Sequence, residues 1–358
     1  MGPEGPGFCD ATRRCGDPHP SRGIPSVSKA RLKSLSTTQP RLKILIVIVG
    51  PFIFAHLSHS PGSAQSEPRF AGDPLLLGAG ARALGMGNAF VPVSDDATAV
   101  YWNPAGLAGL SRSEAQVQHA ERFGGTVNHD VITLARPSRI GGFGIGLLRL
   151  GVDGVRLTTL EDPSQPLGPE NRPIVSREVG TSDYNLHLAY GRAARPNLYL
   201  GAALKLIWRN LAAGNGSGYG LDVGVLYVPV PALTLGASIR NLTRTRITFD
   251  SATTDRIQPS IIIGGAYTKG SRALRGRLIF AGSVHMFEEE SGLEDLESVQ
   301  LGAEYIYRER LAFRIGAKGN HFTAGTGIYL YSSLAFDLAF VENSQLDNTY
   351  QISASFFF

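Results

Sequence analysis

The sequence predicts an all-β protein: a 14-stranded antiparallel transmembrane β-barrel with a short N-terminal helical hatch or plug. Three observations predict it. Beyond about Ala115 the chain is a succession of runs in which apolar and polar residues alternate with period two, the pattern of half-buried strands. Most runs are ~9–11 residues long, the length that crosses a bilayer when tilted, rather than the ~5–6 typical of soluble sandwiches. The apolar sides often end in an aromatic, as at Trp208, Tyr227, Tyr267, Phe287, Tyr307 and Phe340, which suits an interfacial girdle, and the strand number is even.

The first element is a leader, residues 1–64. Arg31, Lys33, Arg41 and Lys43 precede the apolar run "ILIVIVGPFIFAHL" from Ile44 to Leu57, and a small residue follows at Ala64. That order reads as a secretory signal peptide cut after Ala64. A membrane-anchoring helix is the competing reading, but the run falls short of the ~20 residues a span needs and contains Gly50-Pro51. The leader is longer than a signal needs, which points to a translation start downstream, near Val27. It holds 8 Lys/Arg and 3 Asp/Glu, so of the 34 and 30 in the whole chain 26 and 27 remain beyond it, a net of −1. The basic character belongs to the leader, and no nucleic-acid partner is expected of the rest. Cys9 and Cys15 also lie in the leader, so the exported chain has neither a disulfide framework nor a thiolate metal site.

The second element is a hatch segment, residues 65–113, small, Gly-rich and without alternation. Ser94 is placed to cap a short helix whose first turn carries Asp95 and Asp96, favourable at the positive end of a helix dipole. Asn103 precedes Pro104, which keeps Asn103 out of the helical conformation and lets its side chain cap a second turn with proline at the first position. Two short helices joined by a rigid bend are expected.

The third element is the barrel, residues 114–358. Strands are expected near 115–121, 129–136, 142–150, 182–191, 198–208, 218–228, 233–241, 259–268, 276–287, 298–307, 311–319, 322–331, 333–341 and 348–358. Links after odd strands are mostly long, including 151–181 and 288–297, and those after even strands are short, the asymmetry of outer-membrane barrels; the short link near Asn320 is an exception. The last strand places Tyr350, Ile352, Ala354, Phe356 and Phe358 on one side and Thr349, Gln351, Ser353 and Ser355 on the other. Its apolar side needs outer-membrane lipid to face, and pairing with the first strand removes the open edge. The inferred inward side of the ring carries Lys205, Asp222, Arg240, Arg277, Glu304, Arg314, Lys318 and Asp337. Charges of both signs suit an interior that pairs with a hatch or holds water, and leave room for an apolar passage only near Gly142, Gly144 and Gly146, where a strand could bend or leave a gap.

The stretch "GARALGMGNAFVPVSDDATAVYWNPAGLAGL", followed by this strand pattern and "NTYQISASFFF", resembles the PorV/PorQ family of outer-membrane proteins, relatives of the FadL-type channels. The matching motif includes Gly80, Arg82, Gly85, Gly87, Asp95, Asp96, Trp102, Asn103 and Pro104. The resemblance implies a bacterial outer-membrane location and a hatch in or beneath the lumen. It also implies a non-enzymatic accessory of protein secretion and surface attachment of the type IX kind, partnered by secretion-system components or secreted cargo held on the long links. The alternative it carries is a FadL-like passive channel for a hydrophobic ligand, gated around Asn103-Pro104. Tyr350, Phe356 and Phe358 resemble the terminal signal that barrel-assembly machinery reads.

Rival chemistries lack context. Gly78-Ala79-Gly80-Ala81-Arg82-Ala83 matches a loose dinucleotide fingerprint but has no preceding full strand, long helix or βαβ continuation. Asp95 and Asp96, read as helical neighbours, diverge by about 100° and do not converge on one ion. His119, His129, His187, His285 and His321 show no metal spacing; Ser283 and His285 share a strand face without a local nucleophile signature, so lumen polarity is the plainer reading and no catalytic residue, metal or cofactor is expected. Deleting Phe358 is expected to lower membrane-assembled protein more than synthesis, measured as the ratio of the two by immunoblot.

Overall fold

The structure, a computed structural model, describes residues 76–211, 214–287, 296–343 and 347–358. The signal peptide expected within 1–64, the start of the hatch segment and most of the link 288–297 lie outside these residues. The chain first forms α1 (Ala81–Gly85), α2 (Ala99–Trp102) and a 3-10 turn (Pro104–Gly109). The strands follow: β1 (Glu114–Arg122), β2 (Val127–Ser138), β3 (Gly141–Leu160), β4 (Pro173–Arg195), β5 (Leu198–Leu211), β6 (Gly214–Val230), β7 (Leu233–Arg240), β8 (Arg246–Phe249), β9 (Thr254–Arg256), β10 (Ser260–Ser271), β11 (Gly276–Phe287), β12 (Leu296–Tyr307), β13 (Leu311–Lys318), β14 (His321–Leu330), β15 (Leu334–Val341) and β16 (Thr349–Phe357).

Each strand pairs antiparallel with its neighbour, β7 with β10, and β16 returns to β1 in register from Glu114↔Phe357 to Glu121↔Tyr350. The 16 strands of the sheet, less the β8–β9 hairpin that pairs only onto β6, make a closed ring of 14. Closure pairs the backbone groups that hydrocarbon cannot satisfy. No helix among the described residues is long and apolar enough to cross a membrane.

The alternation resolves into an outward apolar band and an inward polar lining. Ile132, Ile145, Leu204, Leu301, Phe313, Ile315, Leu338 and Ile352 are exposed on the outside, while Lys205, Asp222, Glu304, Arg314, Asp337 and Gln351 are buried inside. On β16 Tyr350, Phe356 and Phe358 face outward and Thr349, Gln351, Ser353 and Ser355 inward. The seam is fastened at its end by Ser113 N–H to Phe358 O (3.1 Å) and Phe358 N–H to Ser113 O (3.0 Å).

Some long links are sheet rather than loop. The segment 151–181 continues β3 and β4 as a paired hairpin, with register shifts between Val152 and Val155 and between Leu157 and Thr158, so the link proper shrinks to 161–172. The two shifts let the ladder run on past the apolar band although the side chains there alternate poorly. β5 and β6 likewise pair out to Leu211↔Gly214, and β8–β9 extends the same side of the sheet.

The hatch fills the ring's interior. Its described part starts with Leu76 at the end carrying the long links, where Arg122 Nη2 and Lys318 Nζ donate to Leu77 O (3.0 Å) and Leu76 O (3.4 Å), and reaches Leu110 beside the short turns. Phe90, Tyr101 and Trp102 form its centre, with the Tyr101 and Trp102 rings edge-on at 4.9 Å between centroids. The wall is thinned where the hatch backbone touches it. A Cβ at Gly201 would lie 2.3 Å from the Ala105 nitrogen, and one at Gly316 2.3 Å from the Gly87 nitrogen. Gly142, Gly144 and Gly146 leave no gap: Leu107 and Val100 of the hatch occupy the space their side chains would take, and β3 pairs without interruption there with β2 and β4. The apolar passage allowed for at these glycines is therefore filled by apolar hatch side chains.

Gly201→Val is expected to dislodge the hatch and cost about 1–3 kcal/mol or more through overpacking. Gly270→Val, which meets nothing within 4 Å, is expected to be silent. The midpoint of the folded, heat-modifiable band on SDS gels measures both.

Candidate functional site: the hatch and its two chambers

The hatch is joined to the ring by charge. Gly80 at φ 85° turns the chain into α1, whose Arg82 points at the wall of β12. Arg82 Nε and Nη2 donate to Glu304 Oε1 (3.0 Å) and Oε2 (2.8 Å), while Nη1 reaches Asp95 Oδ1 (2.5 Å) and Asp96 Oδ2 (3.2 Å). Glu304 in turn accepts from Arg314 Nε (2.6 Å), and Arg314 Nη1 donates to Asp337 Oδ1 (2.7 Å). Burial alone would lower the Arg82 guanidinium; Asp95 and Glu304 outweigh it and hold the group well above its ordinary value. For Asp96, burial dominates and raises the carboxyl despite Arg82. Two expectations are corrected here. Ser94 does not cap a helix: its hydroxyl donates to Phe90 O (2.9 Å), and α2 begins only at Ala99 with no acidic first turn. Asp95 and Asp96 lie in the bend before it, so they do converge on one cation, Arg82; the 100° divergence applies only inside a helix. Asp96 Oδ1 also accepts the Thr98 N–H (2.9 Å), the local bond expected of an aspartate in a turn.

Asn103 holds the opposite side of the hatch. Its backbone is extended, its Oδ1 accepts from Ala105 N (3.2 Å) and Pro104 opens the 3-10 turn, as the Asn-Pro pair predicts. Its Nδ2 donates to Val225 O (3.0 Å) and Val91 O (3.2 Å). Asn103-Pro104 is thus hydrogen-bonded to the wall at Val225 and to the hatch itself at Val91 and Ala105. Trp102 Nε1 donates to Ala79 O (2.7 Å), tying the end of α2 to the start of the hatch. Gly85 sits against Gly325, where a Cβ would be 3.1 Å from its Cα, and Gly87 at φ 62° donates to Thr323 Oγ1 (3.0 Å). Eight motif residues, Gly80 to Asn103, and Pro104 therefore share the lumen, while Tyr350, Phe356 and Phe358 lie on the outer surface, away from it. Tyr101 and Arg240 were not singled out together; the Arg240 guanidinium stacks on the Tyr101 ring at 4.4 Å and donates to its hydroxyl (3.2 Å). Tyr101 lies in the non-alternating hatch, so no periodicity marks its partner.

The hatch leaves a chamber at each end of the ring. The one at the long-link end, about 430 Å³, has Arg122 and Lys318 beside Leu76, Leu77, Leu84 and Val341. The one at the short-turn end, about 390 Å³, is walled by the Arg82 cluster with Glu114, Gln116 and Tyr329. Ser283 Oγ donates to Gln300 Oε1 (2.8 Å), which places it in a lumen hydrogen bond. Among the described residues no three His, Cys, Asp or Glu side chains are grouped to hold a metal.

Residues 55–163 match the model of an uncharacterised protein family (UPF0164). No curated protein matches the chain. Among solved structures, the chain is similar to CymD, described as a monoaromatic hydrocarbon channel, at 14% identity and TM-score 0.54, over 79% of this chain and 98% of that one. It is also similar to the Pseudomonas putida toluene transporter TodX, at 15% identity and TM-score 0.51, over 78% of this chain and 96% of that one. The chain shares the closed antiparallel β-barrel fold of these two proteins.

Arg82→Met is expected to cost about 3–5 kcal/mol, because Glu304, Asp95 and Asp96 lose their shared cation inside the lumen. The double change Arg82→Met with Glu304→Gln is expected to cost less than the sum of the two single changes. Denaturation midpoints of the four proteins in a double-mutant cycle measure this.

Proposed function

We propose that the protein is a non-enzymatic, hatch-gated outer-membrane barrel that takes up small amphipathic anions through its long-link end. The observation that carries this reading is the makeup of the chamber there. Arg122 and Lys318 reach into it, and neither forms an ion pair with a carboxylate among the described residues; Arg122 donates to Leu77 O and Gln351 Oε1, and Lys318 to Leu76 O. A cation satisfied only by neutral oxygens keeps most of its attraction for an anion. The neighbouring Leu76, Leu77, Leu84 and Val341 offer apolar surface for a hydrocarbon tail. The first half of the hatch borders the chamber through Leu76, Leu77, Leu84, Gly87 and Asn88. The hydrocarbon channel and toluene transporter sharing this fold support the reading by analogy of architecture alone.

A different observation favours a second reading, an accessory that holds exported cargo as PorV-like proteins of type IX secretion do. β3 and β4 rise together beyond the apolar band as a polar, exposed hairpin, joined on the same side by β8–β9. A raised sheet of this kind offers a rigid docking platform. Removing residues 155–178 would reduce surface display of secreted proteins under this reading and leave it unchanged under the first.

The first reading is tested with dodecanoate and dodecanol, which share a tail and differ in charge. Dodecanoate is expected to bind the detergent-extracted protein more tightly, and Arg122→Gln with Lys318→Gln to weaken it about tenfold or more, the loss of roughly 1.5–3 kcal/mol for a charge-assisted bond. Equal affinity for acid and alcohol would sink it.

A further inference from the structure

The chamber at the long-link end lies against one side of the ring. Five neighbouring strands, β13, β14, β15, β16 and β1, each contribute the residue at their long-link end: Lys318, His321, Val341, Thr349 and Arg122. No described residue of β3 to β6 lines it. The two sides differ in height. Counted from the short turns, β13 and β15 have 8 residues, β1 and β16 have 9 and β14 has 10, whereas β3, β4 and β6 have 20, 23 and 17. A strand tilted across a bilayer needs ~9–11 residues, so the wall beside the chamber stops where the hydrocarbon stops, and the opposite wall rises beyond it.

The outward side chains agree with this. On the low side apolar residues run up to the strand ends: Phe322 is the second residue of β14 and Tyr350 the second of β16, 48% and 61% exposed, and the Phe340 and Tyr350 rings lie 5.6 Å apart. On β3 the exposed large apolar residues are Phe143, Ile145 and Leu147, and the strand continues past them to Leu160. Cation and apolar surface meet at the low rim, because Lys318 pairs with His321 and Ala317 with Phe322 across β13 and β14. The one carboxylate lining the chamber, Glu342, follows Val341 on the same rim. Below the rim the wall is unbroken: β13 to β16, and β16 to β1, pair without a register shift. A ligand that leaves the bilayer for this chamber therefore passes over the rim and not through the wall.

We infer that the chamber receives bilayer-resident anionic lipids, whose charged heads turn inward over the low rim to Arg122 and Lys318 while their chains stay on the outer surface at Phe322 and Tyr350. Basic side chains at a bilayer surface attract anionic heads, and here the strand ends hold two of them at that level. The inference rests on the anion-binding reading of this chamber and adds the source of the anion, the bilayer rather than the surrounding water.

The test places one photoreactive probe on each side of the ring. The full-length protein, with Cys9→Ser and Cys15→Ser, receives either Asn320→Cys on the low rim or Glu170→Cys in the link above β3 and β4, and the thiol is labelled with benzophenone maleimide. The labelled proteins are illuminated in nanodiscs of dioleoylphosphatidylcholine containing a minor fraction of dioleoylphosphatidylglycerol, and captured lipid is identified by mass spectrometry. The Asn320 probe is expected to capture phosphatidylglycerol about tenfold or more above its share of the bilayer, the effect of two cations near the surface, and the Glu170 probe to show no such enrichment. Arg122→Gln with Lys318→Gln is expected to return capture at Asn320 to the bulk share, with folding verified by heat-modifiable migration. Should that pair of changes not fold, Lys318→Gln is read alone, since its amine bonds only to Leu76 O among the described residues, and about a threefold fall is expected. Capture at the bulk share in the parent protein overturns the inference, and so does enrichment that survives loss of the cations. Dodecanoate binding in detergent is read separately: if it prefers the acid while phosphatidylglycerol is not enriched, the bilayer source falls and the anion reading stands, and if neither is seen both fall.

Discussion

The pairing of β16 with β1 is the constraint on which the rest rests. A strand facing hydrocarbon has no water to satisfy its N–H and C=O groups, so an unclosed sheet cannot stand in a bilayer. Closure supplies those partners along the seam from Glu114 to Glu121 and at the same time defines an inside. Once an inside exists, period two forces half of every strand's side chains into it. Those side chains include Lys205, Glu304, Arg314 and Asp337, which are too polar to be left in a void.

The hatch answers that demand in two ways. Its charges complete the ring's: Glu304 is shared between Arg314 of the wall and Arg82 of the hatch, so neither polar set is satisfied without the other. Its backbone fits where the wall is reduced to glycine, at Gly201 and Gly316 among others, which brings main chain to within contact of main chain. Salt bridges fix the first half of the hatch and the Asn103 anchor fixes the second. What remains open are the two ends, and they differ in sign because the arginines near the short turns are matched by an excess of carboxylates while Arg122 and Lys318 are not.

The ring was legible in the sequence because alternation is a local property. Each of the expected strands corresponds to one strand of the ring, and the inward charges read off Lys205, Asp222, Glu304, Arg314 and Asp337 point inward. The hairpin over 151–181 was less legible: its side chains are solvated on both faces, so period two carries no apolar signal there although the ladder persists. Inside the hatch, Asn103-Pro104 was readable because proline restricts its neighbour through covalent geometry. Ser94 and the aspartate doublet were misread as a helix start, because the tertiary partner that sets their conformation, Arg82, is a contact the local pattern does not encode.

The direction in which the hatch crosses the ring has its own consequence. From Leu76, at the mouth with the long links, the polypeptide passes through the ring to Leu110 before β1 begins. The hatch is thus made first yet lies innermost, like a cord around which a hoop is later bent shut. With glycine-deep contacts on several strands, such a cord is hard to draw in once the hoop is sealed, so the meeting of β1 and β16 completes the wall and also captures what it encloses.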